Sequence, residues 1–227
     1  MLNTAGAMIV TPLLTADGSY TLYHRELDET YHSRHGAVQE SLHVFIRNGL
    51  DFVIARGAQK INILEIGFGT GLNAWLTFQT AIAKHVSIRY TSIEPYALPE
   101  SLWSKLNYVS ADQQQDFARL HRSQWNEQVP IHDLFELTKL NTTIQEANLP
   151  ASHFHLVYFD AFAPAKQPEL WTYNLLARTC RSLCSAGVWV TYSAKGEVRR
   201  NLQQCGMVVE KLAGPPGKRH MLRAIKP

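Results

Sequence analysis

Cysteine is scarce in this chain, with Cys180, Cys184 and Cys205 the only three among 227 residues. Three thiols cannot build a disulfide framework, so a reducing, cytoplasmic setting is expected. Charge is sparse too, at 18% against 45% hydrophobic residues. A chain this apolar is not largely disordered. Long apolar runs are missing, since nothing approaches the ~18 residues of a membrane span. The stretch Met8–Leu14 is short, contains Pro12 and has no basic segment before it, so no signal peptide is expected. Internal repeats, low-complexity tracts and Pro-, Gly- or Ser-rich linkers are absent as well, and length alone suggests one large domain.

Strong charge of one sign is also lacking: 22 Lys plus Arg against 19 Asp plus Glu gives +3. That excess permits a nucleic-acid partner without demanding one. Basic residues do gather late, at Lys195, Arg199, Arg200, Lys211, Lys218, Arg219 and Arg223, opposed only by Glu197 and Glu210. An anionic partner and a solvated basic face are equally good readings of that cluster. The histidines His32, His35, His43, His153 and His155 have no acid or thiol partners at ligand spacing, so no metal is expected. Cys180 and Cys184, four apart on a helical stripe, read as small core residues. No serine-nucleophile elbow and no P-loop occurs.

What is present is an alternation of strands and helices. The first 57 residues hold short strand-like runs (Met8–Leu14, Tyr20–Tyr23), a His-rich polar stretch and a helix over Ser41–Ala55 buried through Leu42, Phe45, Ile46, Leu50 and Val53. From Ile61 onward, strands are expected at Ile61–Ile66, Val86–Ile93, Phe135–Leu140, His155–Phe159, Gly187–Ser193, Met207–Leu212 and Arg219–Ile225. Helices are expected at Thr70–Lys84, roughly Pro99–Trp125, Thr172–Cys184 and Lys195–Gln204. This predicts an α/β fold: a seven-stranded, mostly parallel sheet closed by an antiparallel hairpin around Gly214-Pro215-Pro216-Gly217. Residues 1–57 are expected to form a small extension packed on a catalytic domain of 58–227.

Ligands in such sheets sit at the carboxyl ends of the strands. The first strand runs into Glu65-Ile66-Gly67-Phe68-Gly69-Thr70-Gly71-Leu72-Asn73, where alternate glycines allow a tight turn and a close backbone approach. A dinucleotide fingerprint would place glycine at position 72, where this chain has leucine. The second strand ends in Glu94, a carboxylate suited to both hydroxyls of a ribose. The fourth delivers Asp160, followed by Phe162, Pro164, Lys166 and Trp171. Phe162 and Trp171 offer stacking faces for a flat substrate, or simply core packing.

The Glu65–Asn73 motif resembles the first motif of class I S-adenosylmethionine-dependent methyltransferases. Together with the Asp160–Trp171 stretch, Val198-Arg199-Arg200, Leu202 and Gly217–Arg223, it is similar to the methyltransferase part of the MnmC family. The likeness is greatest to the stand-alone (MnmD-like) members, and it runs from about Gly18 to the C-terminus. It implies a Rossmann-like fold and an S-adenosylmethionine cofactor held by Glu65, Gly67, Phe68, Gly69, Gly71, Asn73, Glu94 and Thr142. It further implies that Asp160 is catalytic in N-methylation of the aminomethyl group of wobble 5-aminomethyl-(2-thio)uridine. The tRNA would be held by Tyr31, Glu40, Phe162, Pro164, Lys166, Trp171, Lys195, Arg199, Arg200, Lys218 and Arg219. Without a fused oxidoreductase half, a separate enzyme would supply the substrate. Three positions depart from the family pattern: Leu140-Asn141-Thr142-Thr143 replaces an acidic site near the adenine, Gln167 an asparagine and His220 a glutamate. Transfer to a small-molecule amine, by methyl or aminopropyl groups, and a non-catalytic RNA-binding module are the competing readings.

Overall fold

The computed structural model describes residues 10–227. Met8 and Ile9 of the first expected strand lie outside the described residues. In chain order the elements begin with β1 (Val10–Leu14), β2 (Tyr20–His24) and β3 (Glu29–Thr30), a small antiparallel sheet. Helical structure follows without a break: α1 (Ala37–Ser41), a π-helical segment Leu42–Leu50, and α2 (Asp51–Ala55). Next come β4 (Lys60–Ile66), α3 (Leu72–Lys84), β5 (Ser87–Ile93), α4 (Glu100–Trp103), α5 (Gln114–Arg122), β6 (Gln128–His132) and β7 (Phe135–Leu140). The chain ends with β8 (Phe154–Phe159), α6 (Tyr173–Ser182), β9 (Leu183–Thr191), α7 (Gly196–Gln204), β10 (Val208–Ala213) and β11 (His220–Ile225).

The main sheet has the order β10-β11-β9-β8-β4-β5-β7-β6. Its five central strands are parallel, and the pairs at both ends are antiparallel. It therefore has eight strands rather than the seven expected from sequence. The extra one, β6, contains Pro130 and is exposed at three of its five positions. An edge strand tolerates proline and needs no apolar alternation, which is why the sequence pattern missed it. A second correction concerns the helix expected to run to Cys184. It ends at Ser182, and Leu183 and Cys184 open β9 instead. The long polar stretch after Pro99 is also broken, into α4, a 3-10 turn at Ala111–Gln113 and α5.

Period-two alternation divides the strands between two cores. Ile61, Ile63, Tyr90, Leu156, Tyr158, Val188 and Val190 face the layer that contains Phe45, Leu50, Trp75 and Phe117. Leu64, Ile66, Val157, Phe159 and Trp189 face the layer of Leu176, Val198 and Leu202. The π-helical turn lies very close to the sheet at Gly49, where a Cβ would meet Val190 and Tyr158 at 3.2 and 3.3 Å. Val10 and Leu22 of the small sheet belong to that same first core. Chain order reverses between β4 and β8, so the crevice where ligands enter a doubly wound sheet opens above these two strands.

Candidate active site

Four strand ends, stitched side by side by three main-chain hydrogen bonds, form the floor of that crevice. Gly67 N–H donates to Ile93 O at 2.9 Å, Asp160 N–H to Ile66 O at 3.1 Å, and Glu94 N–H to Leu140 O at 3.0 Å. Gly67, Glu94 and Asp160 are thereby each fixed one residue beyond a buried strand. Gly67 takes φ +95°, and a Cβ there would lie 3.0 Å from the Asp160 carbonyl oxygen. Gly71 takes φ +73°, and its missing Cβ would lie 2.7 Å from His121 Nε2. At both positions the left-handed backbone and the close neighbour require glycine.

Side chains complete the floor. Glu94 Oε2 accepts the Gly69 N–H at 3.1 Å and Oε1 that of Tyr96 at 2.8 Å. Burial pushes the Glu94 carboxyl up to about 7. Asn73 Nδ2 donates to Asp160 Oδ2 at 2.8 Å. Burial, then the negative charges of Glu40 and Glu65, holds Asp160 well above the usual carboxylate range, against the pull of Asn73 and Lys218. Glu65 is 1% exposed beneath the loop, where Ser92 Oγ donates to it at 2.6 Å. Burial pushes this carboxyl also up to about 7.

The N-terminal segment forms the roof. The Tyr31 ring lies against Gly69 and meets Phe162 edge-on at 5.0 Å between centroids. His32 is buried, with Nδ1 3.2 Å from Thr21 Oγ1 and Nε2 3.5 Å from Thr70 Oγ1, and burial pushes it down to about 4. Glu40 accepts the Ser33 N–H at 2.7 Å and pairs with Lys218. Between roof and floor is a cavity of about 670 Å³. Its wall carries Glu29, Glu40, Glu94, Asp160 and Glu169 against the cations Arg34 and Lys218.

The structure sorts the residues singled out from sequence. Gly67, Phe68, Gly69, Asn73, Glu94, Tyr31, Glu40, Asp160, Phe162 and Lys218 come together around the cavity. Glu65 and Gly71 lie behind its wall, as buried support for the loop. Thr142 gives way to Thr143, Ile144 and Gln145 as the lining beside Glu94, because Asn141 turns its amide onto the Glu94 and Pro95 carbonyls. Trp171 is core: it is 3% exposed, packs edge-on against Phe159, and its Nε1 donates to Phe162 O at 2.8 Å. Lys166 turns away to Asp28, 3.4 Å distant. Pro164, Lys195 and Arg219 line a second, shallower groove with Lys211 and His220. Arg199 and Arg200 are exposed on α7 outside both concavities. Tyr192, on the cavity wall one residue past β9, was missed, although the strand-end rule applies to it equally. His32 carries no local signal at all. Among the described residues no group of three or more metal-ligating side chains converges, and no helix is long and apolar enough to cross a membrane.

A glycine cradle, an adjacent carboxylate and an acidic wall suit an adenosyl group carrying positive charge. Residues 107–227 match a family described as S-adenosyl-L-methionine-dependent methyltransferase. The chain belongs to this family. The expected fold and cofactor stand accordingly. The methyltransferase is 30% identical to the tRNA 5-methylaminomethyl-2-thiouridine biosynthesis bifunctional protein MnmC of Ralstonia nicotianae, over 98% of this chain and 35% of that one. For the protein of the same name from Methylobacillus flagellatus the figures are 30%, 88% and 33%. The chain thus spans about a third of the length of the curated relatives it matches. The crystal structure of MnmC2 from Aquifex aeolicus superposes with a TM-score of 0.78 at 29% identity, over 96% of this chain and 70% of that chain. A probable spermidine synthase from Corynebacterium glutamicum superposes at 0.56 with 16% identity, over 100% of this chain and 80% of that one, a likeness of fold alone. The methyltransferase cofactor fits the residues present. Gly67 and Gly69 leave the loop backbone open, and Glu94 keeps lone pairs beyond the two it uses.

Proposed function

We propose that this methyltransferase N-methylates the aminomethyl group of wobble-position 5-aminomethyl-(2-thio)uridine in tRNA, giving the methylaminomethyl form. The observation that carries the reading is the placement of Asp160. Its carboxylate is anchored by Asn73 at the lip of the glycine loop, facing an acidic cavity that adjoins a basic groove. The MnmC relatives, described by 5-methylaminomethyl-2-thiouridine biosynthesis in tRNA, support that product, and removing its methyl group gives the aminomethyl substrate.

Glu94 would take the ribose, and the loop from Gly67 to Gly69 would lie under the rest of the cofactor. When bound, S-adenosylmethionine supplies a methyl carbon attached to a positively charged sulfur. The chain's own task is orientation and the fate of a proton. An alkyl amine is largely protonated at neutral pH, and its nitrogen needs a free lone pair to attack. An ordinary carboxylate is too weak a base for that proton. Burial and two nearby acids raise Asp160 well above the usual carboxylate range, which makes its ionised form a stronger base. The Asn73 amide fixes one oxygen of Asp160 and leaves the other for the amine, so the lone pair can be aligned within reacting distance. Phe162 and Tyr31 form the aromatic wall against which a uracil ring would lie.

Labelled cofactor incubated with tRNA that carries the aminomethyl group, and in parallel with polyamines, tests the reading. Label is expected in the wobble nucleoside and absent from the polyamines. Label in the polyamines alone would transfer the assignment to a small-amine enzyme of the same fold.

A further inference from the structure

Among the described residues, Lys218 is the one cation shared by the acidic cavity and the basic groove. Its Nζ pairs with Glu40, whose side chain is only 6% exposed, while that of Lys218 is 32% exposed. Nζ also lies 3.9 Å from the centroid of the Tyr192 ring, which belongs to both concavities. On the groove side Lys218 stands beside Lys195, Lys211, Arg219 and His220, a set of donors without a carboxylate among them. On the cavity side Glu40 is close enough to raise the Asp160 carboxyl. Buried Glu40 therefore depends on a cation, and its present one sits where an incoming phosphate would also draw it.

We infer that Lys218 and Glu40 form an exchangeable pair that makes the enzyme select amines carried on a phosphate-bearing nucleotide over free amines. A phosphodiester in the groove takes Lys218 as a partner, and Glu40 then accepts the substrate's ammonium beside Asp160. The two new ion pairs replace one old pair, so phosphate and amine assist each other's binding. A free amine has to displace Lys218 with nothing to receive it. This deepens the tRNA reading and rests on it. The exchange is non-covalent, and no bond is made or broken.

The test measures binding by calorimetry, without cofactor, for 5-aminomethyluridine, its 3′-phosphate, and plain uridine 3′-phosphate. In the wild type the 3′-phosphate should tighten binding of the amine by about tenfold or more, the worth of one charge-assisted hydrogen bond. Lys218→Met should bind the phosphate-free amine more tightly than wild type does, because Glu40 is released. Glu40→Gln should bind uridine 3′-phosphate more tightly, because Lys218 is released. These crossed gains are the signature of exchange. If each variant shows only losses, Lys218 is a plain phosphate contact and the proposal is overturned. Lys218→Met leaves a buried carboxylate unpaired and can unfold, so the double variant Glu40→Gln/Lys218→Met is the control. It should fold normally and lose the wild-type phosphate advantage, and retention of that advantage also overturns the idea. Should wild type bind neither aminomethyl ligand, the substrate reading fails separately, while the uridine 3′-phosphate arm still decides the exchange.

Discussion

The floor and the roof of the cavity are built on different principles. The floor is backbone: strand ends joined by main-chain hydrogen bonds, glycines in left-handed conformations, and carboxyls set one residue past buried strands. The roof is side chains. The turn between β1 and β2 caps α1 from a distance, with Thr15 Oγ1, Ser19 Oγ and Asp17 Oδ2 accepting the N–H groups of Ala37, Val38 and Gln39. Gly36 itself offers no side-chain cap, and a Cβ there would meet Asp17 Oδ2 at 2.7 Å. Asn107 ties the same turn to the body through Tyr20 N–H and Gly18 O. A floor of this kind fixes where a cofactor lies. On the proposed function, a roof held by replaceable polar contacts decides what enters beside it.

Changes in the floor should therefore cost chemistry, and changes in the roof should cost stability or selectivity. Asp160→Asn removes the proposed base while leaving an isosteric group for Asn73. Single-turnover methylation should fall by roughly 10²–10⁴-fold, and a rate within about threefold of wild type would remove Asp160 from that role. Gly71→Ala forces a left-handed alanine against His121, whose ring is stacked on Trp103. It should cost about 1–3 kcal/mol from backbone strain alone, with cofactor affinity lost in parallel, as thermal unfolding with and without cofactor would reveal. Asp17→Ala in the roof should cost about 1 kcal/mol. Burial raises the Asp17 carboxyl, but hydrogen bonds from Ser19, Gln39 and Thr15 outweigh it and leave it lowered. Its contribution is therefore present above the ordinary carboxylate range and lost as pH falls below it. Cofactor affinity should be unchanged in Asp17→Ala, and a large drop there would blur the division between roof and floor. The smallest effect is expected at α7: Arg199→Ala and Arg200→Ala should leave the salt dependence of tRNA binding as it is. Lys195→Ala or Lys211→Ala should reduce its slope by about 0.7–0.9 per lost contact.

The same division explains what the sequence made legible. Strand ends in an open α/β sheet are positions of known consequence, so Gly67, Glu94 and Asp160 could be read without a structure. The antiparallel hairpin at Gly214–Gly217 was marked by its own turn residues. Side-chain direction was not legible. Trp171 and Phe162 look equivalent in sequence, yet one anchors the loop from within the core while the other faces the cavity. Arg199 and Lys195 look equivalent too, and only the path of α7 separates them. Of the roof, Tyr31 and Glu40 were readable only by resemblance and His32 not at all, because all three act through contacts with residues far along the chain.

Burial raises the floor's carboxyls, and a cationic ligand would favour their ionised forms. Raised acids hold protons that an unfolded chain would shed. Glu65 and Glu94 therefore cost stability as pH climbs from the ordinary carboxylate range through about 7. An arriving positive charge lowers them again. Calorimetry of S-adenosylmethionine binding near pH 7, in buffers of different ionisation enthalpy, should show net proton release, and more of it than for S-adenosylhomocysteine, whose sulfur is neutral. No proton exchange, or net uptake, would mean that the floor's carboxyls are already ionised before the cofactor binds.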